Sequence, residues 1–133
     1  GTGIAPYFSM LKTAEPWERF ERIVLVHAVR QSSDLRYQEL IEELSMEYAE
    51  RFVFQAFVSR EEVEGTLRGR IPDAIANGEL ERSTGIEVSA GGSQLMLCGN
   101  PDMVADTTTA LKERGLTKNR RRTPGQITVE KYW

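Results

Sequence analysis

Three arginines, Arg30, Arg60 and Arg70, stand near the ends of apolar runs in this sequence. A guanidinium group forms paired hydrogen bonds with a phosphate, so arginines at such points could clamp a phosphorylated ligand. Ser59 directly precedes Arg60, and a hydroxyl beside a guanidinium could share the same phosphate. The alternative is that these arginines are solvated loop charges, which is the usual state of arginine.

A glycine turn, Gly1-Thr2-Gly3, leads through Ile4 and Ala5 to Pro6 and an apolar stretch. Such a turn at a helix N-terminus presents backbone N–H groups to an anion, and the missing side chains let a pyrophosphate approach closely. Pro6 replaces the third glycine of the dinucleotide-binding fingerprint. By itself the pattern is equally consistent with a plain turn.

The choice of nucleotide follows from the residues after Phe52–Val58. No acidic residue lies at the end of this run to hold a free ribose 2′-hydroxyl, whereas Ser59 and Arg60 follow it directly. In dinucleotide sites an arginine accommodates the 2′-phosphate that distinguishes NADP from NAD. The sequence therefore favours NADP.

Cys98 is the candidate catalytic residue, because it ends an apolar run just before a predicted helix N-terminus, where a thiol pKa can be lowered. The alternative is a packed small residue beside a ligand, since no histidine is near it in sequence. His27 lies inside an apolar run and is interpreted as a core histidine. The run Arg120-Arg121-Arg122 is interpreted as a solvated loop that could also face an acidic partner.

Composition narrows the class of protein. The 133 residues suit one domain, and a net charge of −3 gives no basic field that would attract nucleic acid. No apolar run approaches a membrane span and no signal peptide is visible, so we expect no membrane partner. One cysteine excludes an internal disulfide and fits a reducing, cytoplasmic compartment. One histidine cannot build a metal cluster, so no metal site is expected.

Strands alternate with helices along the chain. Helices are predicted over 3–13, 34–51, 71–77 and from 100 to 115, and strands over 22–29, 52–58, 94–99 and 127–133. The segment 15–17 is predicted to break the first helix, 59–69 to be a loop, and 79–93 to be mostly loop with a short helical piece. Alternation of this kind predicts an α/β fold, an open parallel sheet with helices on both faces. Ligands bind beyond the carboxyl ends of such strands.

Five motifs occur in an order typical of one family: GTGIAPYFSM, VLVHAVR, VSRE followed by GRIP, LCGNPDMV, and the closing YW. Together they resemble the NADP-binding half of bacterial ferredoxin– or flavodoxin–NADP reductases, over essentially the whole chain. The resemblance implies one NADP(H)-binding domain over 1–133. In that family an N-terminal barrel holds FAD and a C-terminal α/β domain holds NADP(H).

The resemblance also implies roles for individual residues. It implies a pyrophosphate turn at Gly1, Thr2, Gly3, Ile4, Ala5 and Pro6, and a phosphate-side arginine at Arg30. It implies a 2′-phosphate site at Ser59, Arg60 and Arg70. It further implies a nicotinamide-facing stretch at Cys98, Gly99, Asn100 and Pro101, followed by the cofactor-binding residues Asp102 and Met103, and an aromatic tail over the flavin at Tyr132 and Trp133.

The implied activity is hydride transfer between NADPH and FAD, followed by single-electron exchange with ferredoxin or flavodoxin. Two other functions stay open at this point. The chain could be a module that binds NADP(H) without turnover, or it could belong to an NAD(P)H–flavin reductase or the reductase component of an oxygenase. The latter often prefer NADH, so Ser59, Arg60 and Arg70 argue against them.

The sequence lacks the family's flavin barrel and the first strand of its NADP domain, which is normally central to the sheet. At ~25 cal/mol per Å² of apolar surface, one buried strand contributes several kcal/mol, comparable with the net stability of a domain. We therefore expect the NADP domain to be truncated at its N-terminus, to fold poorly alone, and to have the FAD-binding N-terminal part of the same polypeptide as a partner.

Overall fold

The computed structural model describes residues 4–98 and 100–129, except for the side chains of Ala5 and Pro6. The chain divides into two compact units, of which the first ends at Gly69 and the second begins at Arg70. None of the helices in the described ranges is long and apolar enough to cross a bilayer.

The first unit contains a three-stranded parallel sheet made of β1 (Ile23–Val29), β2 (Phe52–Val58) and β3 (Thr66–Leu67). β1 pairs with β2 along its whole length, from Ile23 opposite Phe52 to Val29 opposite Val58. The parallel pairing confirms the fold class expected from the alternating elements. β3 lies inside the segment predicted to be a loop, because two residues are too few to show a periodic pattern.

Three helices accompany this sheet: α1 (Ala5–Leu11), α2 (Glu15–Arg19) and α3 (Gln38–Tyr48). α1 ends at Leu11, before the segment 15–17 that is predicted to break the first helix, but this segment is itself helical, because Pro16 lies in the first turn of α2, where its missing N–H is not needed. α3 begins four residues later than predicted, since Tyr37 has a φ of 67° and is left-handed. Tyr37 therefore lies outside the helix, although its spacing of three residues from Leu40 predicts it on the apolar face of that helix.

An apolar core lies between the helices and the sheet of the first unit. Its buried members are Ile4, Phe8, Leu11, Trp17, Leu25, Ile41, Leu44 and Phe52. The Trp17 ring stacks on Tyr48 with 3.5 Å between ring centroids and 6° between planes. The Trp17 indole Nε1 also donates to the Leu11 carbonyl over 2.9 Å, so the ring is held at both its face and its polar edge.

β1 is buried on one face only. Leu25, His27 and Val29 are buried, whereas Val24 and Val26 on the other face are half-buried and Ala28 is exposed. A continuous apolar run of this kind predicts a strand buried on both faces, and the structure differs from that prediction. Within the described residues, β1 has one hydrogen-bonded neighbour, β2.

The second unit contains α4 (Ile71–Asn77), α5 (Glu79–Thr84), β4 (Leu95–Leu97), α6 (Pro101–Glu113) and β5 (Ile127–Val129). β4 and β5 pair in parallel, with Leu95 opposite Ile127 and Leu97 opposite Val129. The short helical piece expected within 79–93 is α5.

Local sequence explains where the helices of this unit begin and end. Gly78 has a φ of +81° and ends α4, as its position predicts, because a residue with a Cβ is strained there. Asn100 caps α6 and Pro101 occupies its first turn, the positions that asparagine and proline favour at the start of a helix. Gly115, with a φ of +89°, directly follows the C-cap of α6.

Candidate functional site

The first part of the candidate site lies at the carboxyl end of β1 and β2. The parallel ladder continues past both strands, because the Ser59 N–H donates to the Val29 carbonyl over 3.0 Å and the Arg60 N–H donates to the Arg30 carbonyl over 2.9 Å. Arg30, Ser59 and Arg60 are therefore neighbours at one edge of the sheet, and all three are exposed. The structure brings together three residues that the sequence predicts as a phosphate site.

The carboxylates that the structure describes near Arg30 and Arg60 bind backbone amides and not the two guanidinium groups. Within the described residues, no carboxylate lies within 4.0 Å of Arg30 or Arg60. Glu61 Oε2 accepts the Ser32 N–H over 2.5 Å, and Asp34 Oδ2 accepts the Gln31 N–H over 3.3 Å. Both acids bind backbone amides, so the described part of this edge holds two exposed guanidinium groups that no described carboxylate pairs.

Glu61 is a residue that sequence reasoning missed. Its carboxylate ties the segment after β2 to the segment after β1, which holds the two exposed arginines on connected backbone. Its position directly after Arg60 in the sequence is the signal from which a role at this edge could have been predicted.

Cys98 and Asn100 follow β4, where the sequence predicts further ligand-binding residues. Cys98 is half-buried. The Asn100 Oδ1 accepts the N–H groups of Asp102 over 2.9 Å and Met103 over 3.3 Å. The side chain of Asn100 and these two amides are thus occupied in capping α6, which leaves them less available to a ligand.

Other residues near the start of α6 are placed as follows. Pro101 and Asp102 are exposed, and Met103 is half-buried. The Met103 Sδ accepts the hydroxyl of the buried Thr107 over 3.3 Å, so the thioether is engaged within its own helix. Their assignment to cofactor binding stays a prediction.

Arg70, the third predicted phosphate arginine, occupies the N-cap position of α4. Its Nη2 donates to Asp106 Oδ2 on α6 over 2.8 Å. This hydrogen bond raises the pKa of the Arg70 guanidinium above its ordinary value, because it stabilises the charged form. Asp106 is the second residue that sequence reasoning missed, since 36 positions separate it from Arg70 and no local pattern connects them.

The predicted pyrophosphate turn is described only in part. Gly1, Thr2 and Gly3 lie outside the described residues, as do Gly99, Tyr132 and Trp133. Ile4 is 5% exposed and belongs to the apolar core of the first unit. Any contact of Ile4 with a cofactor would therefore come from its backbone.

His27 is buried in β1, as a core histidine should be. Burial lowers its pKa to about 4, so its ring is neutral at pH 7. Within the ranges 4–98 and 100–129, no group of three or more histidine, cysteine or acidic side chains could hold a metal ion.

Comparison with known proteins gives one family match. Residues 1–109 match the family described as "Oxidoreductase NAD-binding domain". Among curated relatives, the flavodoxin/ferredoxin–NADP reductase of Escherichia coli K12 is 48% identical over 134 residues, which covers 100% of this chain and 54% of the relative. The reductase of the same name from Buchnera aphidicola subsp. Baizongia pistaciae is 44% identical with the same coverage.

Two solved structures also resemble this chain. A ferredoxin NADP+ reductase from Neisseria gonorrhoeae with bound FAD and NADP has a TM-score of 0.92 and 32% identity, covering 100% of this chain and 53% of that one. An Amycolatopsis cytochrome P450 reductase has a TM-score of 0.73 and 29% identity, covering 99% of this chain and 35% of that one. This chain thus spans about half the length of the curated relatives it matches.

Proposed function

Since the chain belongs to the oxidoreductase NAD-binding domain family, we propose that it is the NADP(H)-binding half of a flavin-dependent ferredoxin– or flavodoxin–NADP reductase. The names of the relatives in E. coli and Buchnera support this proposal, as does the FAD- and NADP-bound Neisseria structure. Its FAD would be held mainly by an N-terminal part of the same polypeptide, and its electron carrier would be ferredoxin or flavodoxin. The single cysteine supports a cytoplasmic location.

One observation carries the choice of nucleotide. Arg30, Ser59 and Arg60 lie together beyond the carboxyl ends of parallel strands, the usual ligand position in such sheets. Two exposed guanidinium groups and a hydroxyl suit a phosphate dianion, whereas sites for a free ribose 2′-hydroxyl typically supply a carboxylate acceptor. The edge therefore fits a nucleotide with a 2′-phosphate.

These residues would bind and orient the nucleotide rather than react with it. When bound, NADP(H) and FAD supply hydride transfer and single-electron exchange with the carrier. The arginines would fix the phosphate end of the nucleotide, and thereby the position of its other end. Arg70 keeps the 2′-phosphate role that the family resemblance implies. The pyrophosphate turn at residues 1–6, the stretch from Cys98 to Met103, and the aromatic pair Tyr132 and Trp133 keep their cofactor-binding roles on the same ground. The catalytic role predicted for Cys98 stays a prediction.

The proposal is tested by substituting Arg60. The test uses the full chain, that is, the polypeptide together with the proposed FAD-binding part. In it, Arg60→Ala should weaken NADP+ binding by about 10- to 100-fold, since hydrogen bonds to charged groups contribute roughly 1.5–3 kcal/mol. NAD+ lacks the 2′-phosphate, so its Kd should stay within about twofold. Calorimetric titration of both nucleotides measures the two constants.

Arg22→Ala is the matched control, because Arg22 is also exposed but precedes β1, at the opposite end of the same strands. It should leave both constants unchanged. Equal losses for NADP+ and NAD+ in Arg60→Ala would contradict the 2′-phosphate assignment.

The likeness to the Amycolatopsis cytochrome P450 reductase supports a second candidate, the reductase component of an oxygenase. Nucleotide preference separates the two, because a preference for NADH over NADPH in the full chain would favour the second candidate. A visible absorption spectrum and turnover with an artificial electron acceptor separate both from a module that only binds NADP(H). That module would show no flavin band and no turnover.

A further inference from the structure

The second unit carries an arginine that is already paired with a carboxylate. Arg70 Nη2 and Asp106 Oδ2 are 2.8 Å apart, and 55% and 53% of the two side chains are exposed. Arg70 lies at the N-cap of α4 and Asp106 in the second turn of α6. The pair therefore lies at the surface, where water and solutes reach both members.

This pairing separates Arg70 from the other two predicted phosphate arginines. Among the residues that the structure describes, Arg30 and Arg60 have no carboxylate within ion-pair distance. Arg70, in contrast, has an acidic partner, which a different helix contributes. A phosphate that approaches Arg70 therefore meets a guanidinium whose charge is partly neutralised.

We propose that Asp106 competes with the 2′-phosphate of NADP(H) for Arg70 and so limits how strongly the chain prefers NADP(H) to NAD(H). This inference rests on the proposed function, because it requires Arg70 to contact that phosphate. Carboxylate and phosphate bind the same paired donors of a guanidinium group. The contact of Asp106 uses Nη2, which takes part in both of the paired-donor edges that an arginine offers.

The competition affects only one class of nucleotide. A phosphate dianion at Arg70 must either displace the Asp106 carboxylate or tolerate its repulsion at short range. NAD(H) has no 2′-phosphate and meets neither effect. Asp106 is thus a specificity-determining residue that acts through Arg70.

The test compares Asp106→Asn with Asp73→Asn in the full chain, by calorimetric titration of NADP+ and NAD+. Exposed ion pairs are weak, so Asp106→Asn should tighten NADP+ binding by about two- to fivefold and leave NAD+ unchanged. Asp73 is the matched control, since its charge also acts on Arg70 but it makes no hydrogen bond with that residue. Asp73→Asn should produce a smaller change.

Two further variants test whether the effect on NADP+ binding depends on the Asp106 carboxylate and on Arg70. Asp106→Glu retains the carboxylate and should bind both nucleotides as the wild type does. In an Arg70→Ala background, Asp106→Asn should no longer tighten NADP+ binding, because the competed group is gone. A gain that persists without Arg70 would overturn the inference.

Other outcomes overturn it as well. Weaker NADP+ binding by Asp106→Asn would mean that Asp106 orients Arg70 instead of competing for it. An equal gain in NADP+ affinity in Asp73→Asn would mean that any nearby negative charge weakens NADP+ binding, without competition for Arg70. A wild-type chain that binds NADP+ no better than NAD+ would instead overturn the proposed function, and this inference with it.

Discussion

Two arginine–carboxylate pairs in the second unit have the same length and different surroundings. Both Arg70–Asp106 and Arg114–Glu81 have a nitrogen–oxygen distance of 2.8 Å. The side chains of the first pair are 55% and 53% exposed, whereas those of the second are 28% and 18% exposed.

The second pair is also part of a larger network. Arg114 donates to the carbonyls of Ile75 over 2.9 Å and Val88 over 3.3 Å, and Glu81 Oε2 accepts the Val88 N–H over 2.8 Å. These bonds connect α4, α5 and the segment after it to the C-cap of α6. Since the two distances are equal, we expect burial and additional bonds to make the second pair contribute more to the stability of the fold than the first.

The largest effect is expected from Arg114→Met. It removes the guanidinium donor from Glu81 Oε1 and from two carbonyls, which should lower the free energy of unfolding by about 2–4 kcal/mol. Arg70→Met is the control, since loss of an exposed pair should lower it by less than about 1 kcal/mol. Urea unfolding of the full chain measures both, and equal losses would show that the two pairs are not different in kind.

The network around Glu81 predicts a dependence on pH. Burial acts to raise the pKa of Glu81, but the Val88 N–H and Arg114 outweigh it, and the net pKa is lowered. A carboxyl whose pKa is lower in the folded state stabilises the fold above its unfolded pKa, near 4.5. This contribution is lost as the pH falls through the folded value.

Glu81→Gln removes that ionisation, so its free energy of unfolding should fall less steeply below pH 4.5 than that of the wild type. Urea unfolding at a series of pH values from 7 to 3 measures the two slopes. Identical slopes would mean that Glu81 is ionised equally easily in both states.

A smaller effect is expected from Asn100→Ala, which tests the helix that contains Asp106 and has Arg114 as its C-cap. The Asn100 side chain caps α6, and loss of an N-cap costs about 1 kcal/mol. Asn100→Asp keeps an acceptor at the same place and should restore most of the stability. If Asn100→Asp is as unstable as Asn100→Ala, the cap is not the source of the loss.

The sequence predicted the elements whose signals are local. β1 and β2 are continuous apolar runs, and Asn100-Pro101 places the start of α6. Pro16 was misread because proline is compatible with a first helical turn as well as with a break. Tyr37 was misread because its left-handed backbone has no counterpart in the apolar spacing.

The residues of the candidate site also divide into those that the sequence could predict and those that it could not. The edge formed by Arg30, Ser59 and Arg60 was predictable, because carboxyl ends of parallel strands meet at one edge. The partner of Arg70 was not, because a contact over 36 positions depends on how α4 packs against α6. The expectation that the chain folds poorly alone stays a prediction.

The stacked Trp17 gives the first unit an optical signal of its own. The sequence has two tryptophans, and the other, Trp133, can be replaced by phenylalanine. Indole emission depends on solvation, and Trp17 is 7% exposed, with its ring against Tyr48. A shift of its emission to longer wavelength would therefore record the opening of the core around α1, α2 and β2 in real time, without any attached dye.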